Sequence, residues 1–128
     1  FAEQFAPSRT FCFLSEVEML RANNLIKGGD IANAIVIMDM ELSDEDFEKM
    51  KKRLGIEKSV IMGSNGILDN KDLRFKNEPA RHKLLDLIGD MALIGAPIKG
   101  QILAARPGHR ANVEFTKMLR KLYLQNTL

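Results

Sequence analysis

The sequence predicts an α+β fold, a two-layer sandwich. Three observations predict it: short β-prone runs alternate with helical patterns, only one helix is long, and the composition is globular. The 128 residues are 45% hydrophobic and 28% charged, the mix of a folded domain and not of a disordered chain. A chain of this length buries roughly two-thirds of its unfolded surface, enough for one core.

The elements follow in order. Arg9 to Leu14 (RTFCFL) is aromatic and β-prone, hence a short strand. Ser15 and Glu18 have capping-box spacing, so a helix is expected over 16–22, with Val17 and Leu20 inward and Asn23-Asn24 as a left-handed exit. Gly28-Gly29-Asp30 reads as a turn, and Ala34 to Met38 (AIVIM) as a buried strand. Ser43 and Asp46 mark a second helix start; Phe47, Met50 and Leu54 are its apolar face, and Gly55 its stop. Lys58 to Met62 is a predicted strand, Gly63 to Gly66 a loop and Asp69-Asn70 a turn. Asn77 is a predicted N-cap with Pro79 in the first turn of a helix over 78–94, which Gly95 and Pro97 end. Ile98 to Ala105 is a predicted strand, Arg106 to His109 a tight turn, and residues 111–124 a final helix.

Several function classes are excluded. Lysine plus arginine number 19 and aspartate plus glutamate 17, a net charge of +2, too mild for a dedicated nucleic-acid binder. No apolar run approaches the ~20 residues of a membrane span, and no export signal opens the chain. The one cysteine, Cys12, rules out an internal disulfide and paired Cys/His zinc frameworks, and fits a reducing, cytoplasmic setting. Cys12 reads as a small buried hydrophobe and not as a nucleophile. The chain opens on Phe1 and not on methionine, as an excerpt or a processed product would.

Chemistry concentrates on the 78–94 helix. Among Leu84, Leu85, Leu87, Ile88, Met91 and Leu93, the polar residues His82, Asp86 and Asp90 recur at i, i+4 and i+8 on one stripe. An imidazole and a carboxylate one turn apart can share a zinc ion. The same spacing also describes a solvated surface pair worth a few tenths of a kcal/mol. His109, the only other histidine, follows Pro107-Gly108 in a strand-to-helix turn, where it is either a functional or a capping residue. Lys83, Lys99, Arg106 and Arg110 are phosphate-binding candidates or ordinary solvated charges. Phe11, Phe13, Val17, Leu20, Leu25, Ile26, Ile35 and Ile37 are either core or the lining of a lipid groove. Residue reasoning ends here, with a candidate His/Asp zinc site and no reaction.

A resemblance carries further. Arg9-Thr10-Phe11, the stretch Phe13 to Arg21 (FLSEVEMLR), Gly28-Gly29 leading to Asn33 to Val36 (NAIV), Arg81 to Asp90 (RHKLLDLIGD) and Gly108-His109 occur in this order. Together they closely resemble the C-terminal half of the UDP-3-O-acyl-N-acetylglucosamine deacetylases, the zinc amidases of lipid A biosynthesis in Gram-negative bacteria. The resemblance runs from about Arg9 to about Leu119, and RHKLLDLIGD is its most specific block.

The resemblance implies a ribosomal protein S5 domain 2-like sandwich, two of which pack face to face around the active site. Residues 1–128 would be the second domain, with the first absent, and residues 12–75 would hold an insert forming a passage for the acyl chain. It implies His82 and Asp86 as two of three zinc ligands, His109 as a cationic catalytic histidine, Asp90 as the carboxylate orienting it, and Thr10 as a polariser of the acetyl carbonyl. Phe11, Lys83 and Arg106 match contacts to the sugar nucleotide. Gly28, Gly29, Val17, Leu20, Ile26, Ala34 and Val36 match the acyl passage. The implied substrate is a UDP-sugar carrying a long 3-hydroxyacyl chain, handled in the cytoplasm.

Three departures stand out. The glutamate-histidine pair that supplies the family's general base and third zinc ligand is not in this chain, so the chain alone is expected to be inactive and to bind zinc weakly. The stretch from about Met40 to Gly66 is long and is expected to add a helix and a strand, either shaping the passage or decorating an edge. Cys12 stands where many members have glycine, which would narrow the passage. The long insert and Asn77-Glu78-Pro79-Ala80-Arg81 resemble Bacteroidetes-type members, in which a 3-hydroxyacyl-carrier-protein dehydratase is often fused downstream. The competing readings are a non-catalytic binding or assembly module on the same fold, and a metal shared by His82, Asp86 and His109.

Overall fold

The RTFCFL run forms a strand in the computed structural model of the chain, β1 (Thr10–Phe13). The structure describes residues 1–23, 33–54, 56 and 59–126. The predicted Gly28-Gly29 turn, Leu25, Ile26, Asn24 and the Gly55 stop lie outside the described residues. The chain forms two compact units, one of Arg9–Lys76 and one of Phe1–Ser8 with Asn77–Leu128.

In the unit Arg9–Lys76, β1 pairs in parallel with β2 (Ala34–Ile37), in the register Thr10↔Ala34 to Phe13↔Ile37. Parallel neighbours need a crossover connection, and helix α1 (Val17–Ala22) lies within it. The capping expectation fails here. Ser15 caps nothing: its hydroxyl donates to Asp39 Oδ2 at 2.5 Å and its backbone N–H to Asp39 Oδ1 at 3.1 Å. It is Glu16 that reaches back to the Phe13 N–H, at 3.5 Å. At the exit Asn23 is not left-handed, with φ −91°, and its side-chain amide donates to the Met19 carbonyl.

The Ser43 prediction holds. Its hydroxyl accepts the Asp46 N–H at 3.1 Å and starts α2 (Asp44–Leu54). Phe47 from α2 joins Leu14, Val36, Val60 and Leu68 in the buried core, with Cys12, Val17, Met38, Leu42, Met50, Ile56 and Met62 packed against it. The 40–66 stretch is therefore part of this unit's core and not an edge decoration.

Its predicted strand does not form: residues 59–62 run without a ladder, and the nearby cross-links are an antiparallel bridge Ile37↔Ile67 and the Asp69 N–H to Ile61 carbonyl bond. Gly63 is required where it stands, because a Cβ there would come 1.6 Å from the Ile67 carbonyl oxygen. The Asp69-Asn70 turn is present, with both residues at positive φ.

In the other unit, α3 (Glu78–Ala92) packs on α4 (His109–Gln125). Pro79 sits in the first turn of α3 as expected, but the Asn77 side chain makes no cap; its Oδ1 accepts from Arg81 Nε at 2.7 Å. Gly95, at φ +75°, ends the helix region. Helix α4 starts two residues before its predicted start, so His109 is its first residue and not a loop residue.

Residues 98–105 form no strand. Ile98, Ile102 and Leu103 are exposed, and among the described residues no strand runs beside them. A strand needs a partner for its backbone groups, and apolar content alone supplies none. The α+β class thus stands, with a two-stranded sheet among the described residues in place of the four strands expected. No described helix is long and apolar enough to cross a membrane.

The Ser15–Asp39 contact gives a pH prediction. The Ser15 hydroxyl, and after it the Ser15 N–H, holds the Asp39 carboxyl below its ordinary range. A carboxyl lowered in the folded state adds stability above its unfolded value, and that contribution fades as pH falls through the folded value. Ser15→Ala removes the hydroxyl and keeps the N–H, so it should move the Asp39 titration upward, part of the way to the ordinary carboxylate range, read by carbon NMR of the side-chain carboxyls.

Candidate active site

The three ionisable side chains of the sequence stripe, on α3, meet His109 at the start of α4. Spacing of four residues puts His82, Asp86 and Asp90 in one column, and the packing of α4 sets His109 beside it. The side chains of His82, Asp86 and Asp90 are 16%, 12% and 13% exposed, against 70% for His109. These are not solvated surface pairs.

His82 is held from outside the helix. Its Nδ1 lies 3.1 Å from the Ser8 carbonyl oxygen. A carbonyl only accepts, so Nδ1 carries the proton and Nε2 is left with its lone pair in the neutral ring. Arg81 secures this segment: it donates to the Gln4 carbonyl at 2.6 Å, and its guanidinium lies 5.5 Å from the centre of the Phe5 ring.

The freed Nε2 lies 3.3 Å from Asp86 Oδ1. Two ligands bound tetrahedrally to zinc at about 2.0–2.1 Å stand about 3.3–3.4 Å apart. The pair therefore matches one edge of a zinc polyhedron, and the donor set, imidazole nitrogen plus carboxylate oxygen, suits that ion. A lone pair facing a carboxylate is itself unfavourable unless a cation lies between them or the ring takes a second proton.

His109 completes the column. Its Nδ1 donates to both oxygens of Asp90, at 2.9 and 3.1 Å, so its Nε2 is the atom open to proton exchange. That Nε2 lies 3.8 Å from Asp86 Oδ1, too far for a hydrogen bond. Lys83 Nζ lies 3.8 Å from Asp86 Oδ2. Arg106, at φ +51° before Pro107, lines a groove of about 470 Å³ with Gly108, His109, Arg110, Ala111 and Glu114. Among the described residues no three His, Cys, Asp or Glu side chains form a metal-holding group, so the reading with His82, Asp86 and His109 on one ion finds no support.

The remaining predicted site residues belong to the unit Arg9–Lys76. Thr10 is exposed on β1, and Phe11 beside it is half-buried, edge-on to Phe13. Val36 is in the core and Val17 packs against it, while Leu20 and Ala34 are half-buried. Gly28, Gly29 and Ile26 lie outside the described residues. Burial, and after it the nearby Glu16, pushes the Cys12 thiol up, which agrees with an inert residue.

Two partners went unread in the sequence. Asn112 donates to Asp90 Oδ2 at 2.9 Å, and Thr116 Oγ1 lies 3.2 Å from the Asp90 carbonyl oxygen. Their signal was present: His109, Asn112 and Thr116 fall at i, i+3 and i+7 once the helix starts at His109. The Ser8 carbonyl carried no signal, being a backbone group 74 residues away.

The profile of the UDP-3-O-acyl N-acetylglycosamine deacetylase family matches residues 1–54 and 46–121. The chain belongs to this family. The two matched stretches overlap within α2, in the 40–66 stretch. The chain is 55% identical, over its whole length, to a bifunctional enzyme LpxC/FabZ of Chlorobaculum tepidum, and 47% identical over 98% of its length to one of Porphyromonas gingivalis. It is 34% identical over 93% of its length to a UDP-3-O-acyl-N-acetylglucosamine deacetylase of Aquifex aeolicus. It spans 28%, 27% and 33% of these relatives respectively. The expected deacetylase family is thus borne out.

The Arg81 anchor is testable. Arg81→Ala in the full-length protein should speed exchange of the Ser8 amide, which donates to the Phe5 carbonyl, by about tenfold or more, since hydrogen bonds to charged groups contribute roughly 1.5–3 kcal/mol. Hydrogen exchange read by mass spectrometry checks this, with α4 amides as the internal control.

Proposed function

We propose that this chain is the second domain of a zinc-dependent deacetylase that hydrolyses the acetamide of UDP-3-O-(3-hydroxyacyl)-N-acetylglucosamine. The observation that carries the reading is the 3.3 Å spacing of His82 Nε2 and Asp86 Oδ1, with Nδ1 tied to the Ser8 carbonyl. Zinc held there supplies Lewis-acid polarisation of a carbonyl and a water nucleophile at neutral pH.

The chain's own residues do the rest. Asp90 holds the His109 ring by Nδ1, so Nε2 meets charge developing on the amide oxygen or gives its proton to the leaving amine. Thr10 contributes a hydroxyl toward the acetyl carbonyl. Lys83 and Arg106 meet the phosphates of the nucleotide, and Phe11 its sugar. Val17, Leu20, Ile26, Gly28, Gly29, Ala34 and Val36 shape the acyl passage, where each buried methylene adds ~0.8 kcal/mol. The third zinc ligand and general base come from a first domain outside these 128 residues. The family match and the α+β element order support the S5-like sandwich. The 55% and 47% identities to bifunctional relatives support a parent protein with a fused dehydratase.

Two experiments test this. In the full-length protein, Asp86→Ala should remove most of the bound zinc and the activity, whereas His109→Ala should keep the zinc and lower kcat by about 10²–10⁴-fold. Metal analysis beside a deacetylation assay checks both; full activity after thorough chelation would overturn the reading. The isolated 128 residues should show no turnover and weak zinc binding by calorimetry, and substantial turnover would refute the need for a first domain.

A further inference from the structure

Asp90 receives more contacts than a carboxylate that only orients a histidine requires. Its two oxygens accept from His109 Nδ1, and Oδ2 also accepts from the Asn112 amide at 2.9 Å. The carboxylate only accepts, so the amide atom facing it is the NH2 group.

Asn112 has little freedom. It is 5% exposed, its N–H donates to the Gly108 carbonyl at 2.9 Å, and its carbonyl accepts from the Thr116 hydroxyl at 2.8 Å. Thr116, 3% exposed, also lies against the Asp90 carbonyl. Helix α4 thus touches Asp90 at side chain and backbone, from two residues one turn apart.

We infer that Asn112 is a positioning residue, whose side-chain amide fixes the Asp90 carboxylate so that both oxygens stay turned to His109 Nδ1. Unclamped, the carboxylate turns about its own bond, and the ring is 70% exposed and held at Nδ1 by Asp90. The catalytic consequence rests on the proposed role of His109; the geometric one does not.

The test uses the full-length protein and two readouts. Nitrogen NMR of labelled histidine reports which ring nitrogen of His109 carries the proton. In its neutral ring the wild type should show the Nδ1–H form, Asn112→Ala a mixture of both tautomers, and Asn112→Ser, which keeps a donor, a value nearer the wild type. In the deacetylation assay, Asn112→Ala should lower kcat about 10–100-fold with KM and zinc content little changed. In an Asp90→Ala background the same substitution should cost less than twofold more, because Asn112 acts through Asp90. A merely structural Asn112 would show equal falls in both backgrounds and an unchanged ring signal, which overturns the inference. Should the wild type lack deacetylase activity, the functional reading fails while the NMR arm still decides the role of Asn112; should Asn112→Ala not fold, Asn112→Ser carries both readouts.

Discussion

The site depends on one constraint: three polar side chains are held in a single column along a helix that packs on another. His82, Asp86 and Asp90 are each less than one-fifth exposed, and polar groups taken out of water must find partners. Each finds one at a different place in the chain. The Ser8 carbonyl serves His82, the Lys83 ammonium serves Asp86, and α4 serves Asp90. The four-residue period of α3 sets the spacing, and the partners set which atoms are left to react.

That division explains what was legible in the sequence. Periodicity is local, so His82, Asp86 and Asp90 could be placed on one face without any partner, as could the Ser43 start of α2 and the Gly95 end of α3. Partners are non-local. Nothing in the residue types says that the Ser8 carbonyl meets His82, or that Ser15 turns to Asp39 and not to its own helix. The 98–105 strand failed for the same reason, since β-propensity describes one side of a two-sided bond. His109 was placed in the right neighbourhood but on the wrong element, and that two-residue error hid Asn112 and Thr116.

The core of the unit Arg9–Lys76 shows the converse. Phe47 and Val60 come from a stretch that read as additional, yet they are buried with Leu14 and Val36. Burial of a phenylalanine contributes about 1.5–3 kcal/mol, so removing the stretch would open the centre of the unit and not trim its edge. An insertion judged by length alone looks dispensable; its apolar periodicity, Phe47 and Met50 on one face, is the better guide. Methionines 38, 50 and 62 surround the same cluster, and their flexible chains fill an irregular space that branched residues would leave partly empty.

The polar seam between α3 and α4 argues for function by its energetics. Two helices gain most from an apolar seam, and replacing a buried ion pair by packed hydrocarbon is often neutral or stabilising. Here His109, Asn112 and Thr116 face Asp90 across that seam, while Leu84, Ile88, Phe115 and Met118 of the same helices are exposed. Stability alone would favour the reverse arrangement. A seam that sets an imidazole and an amide on the Asp90 carboxylate, and a hydroxyl against its backbone carbonyl, gains defined direction and not cohesion. The direction is that of the His109 ring, with Nε2 on the side that also presents the Asp86 oxygen. A misaligned ring would leave the helices just as well packed, so the seam is built to prevent an error that folding itself would not punish.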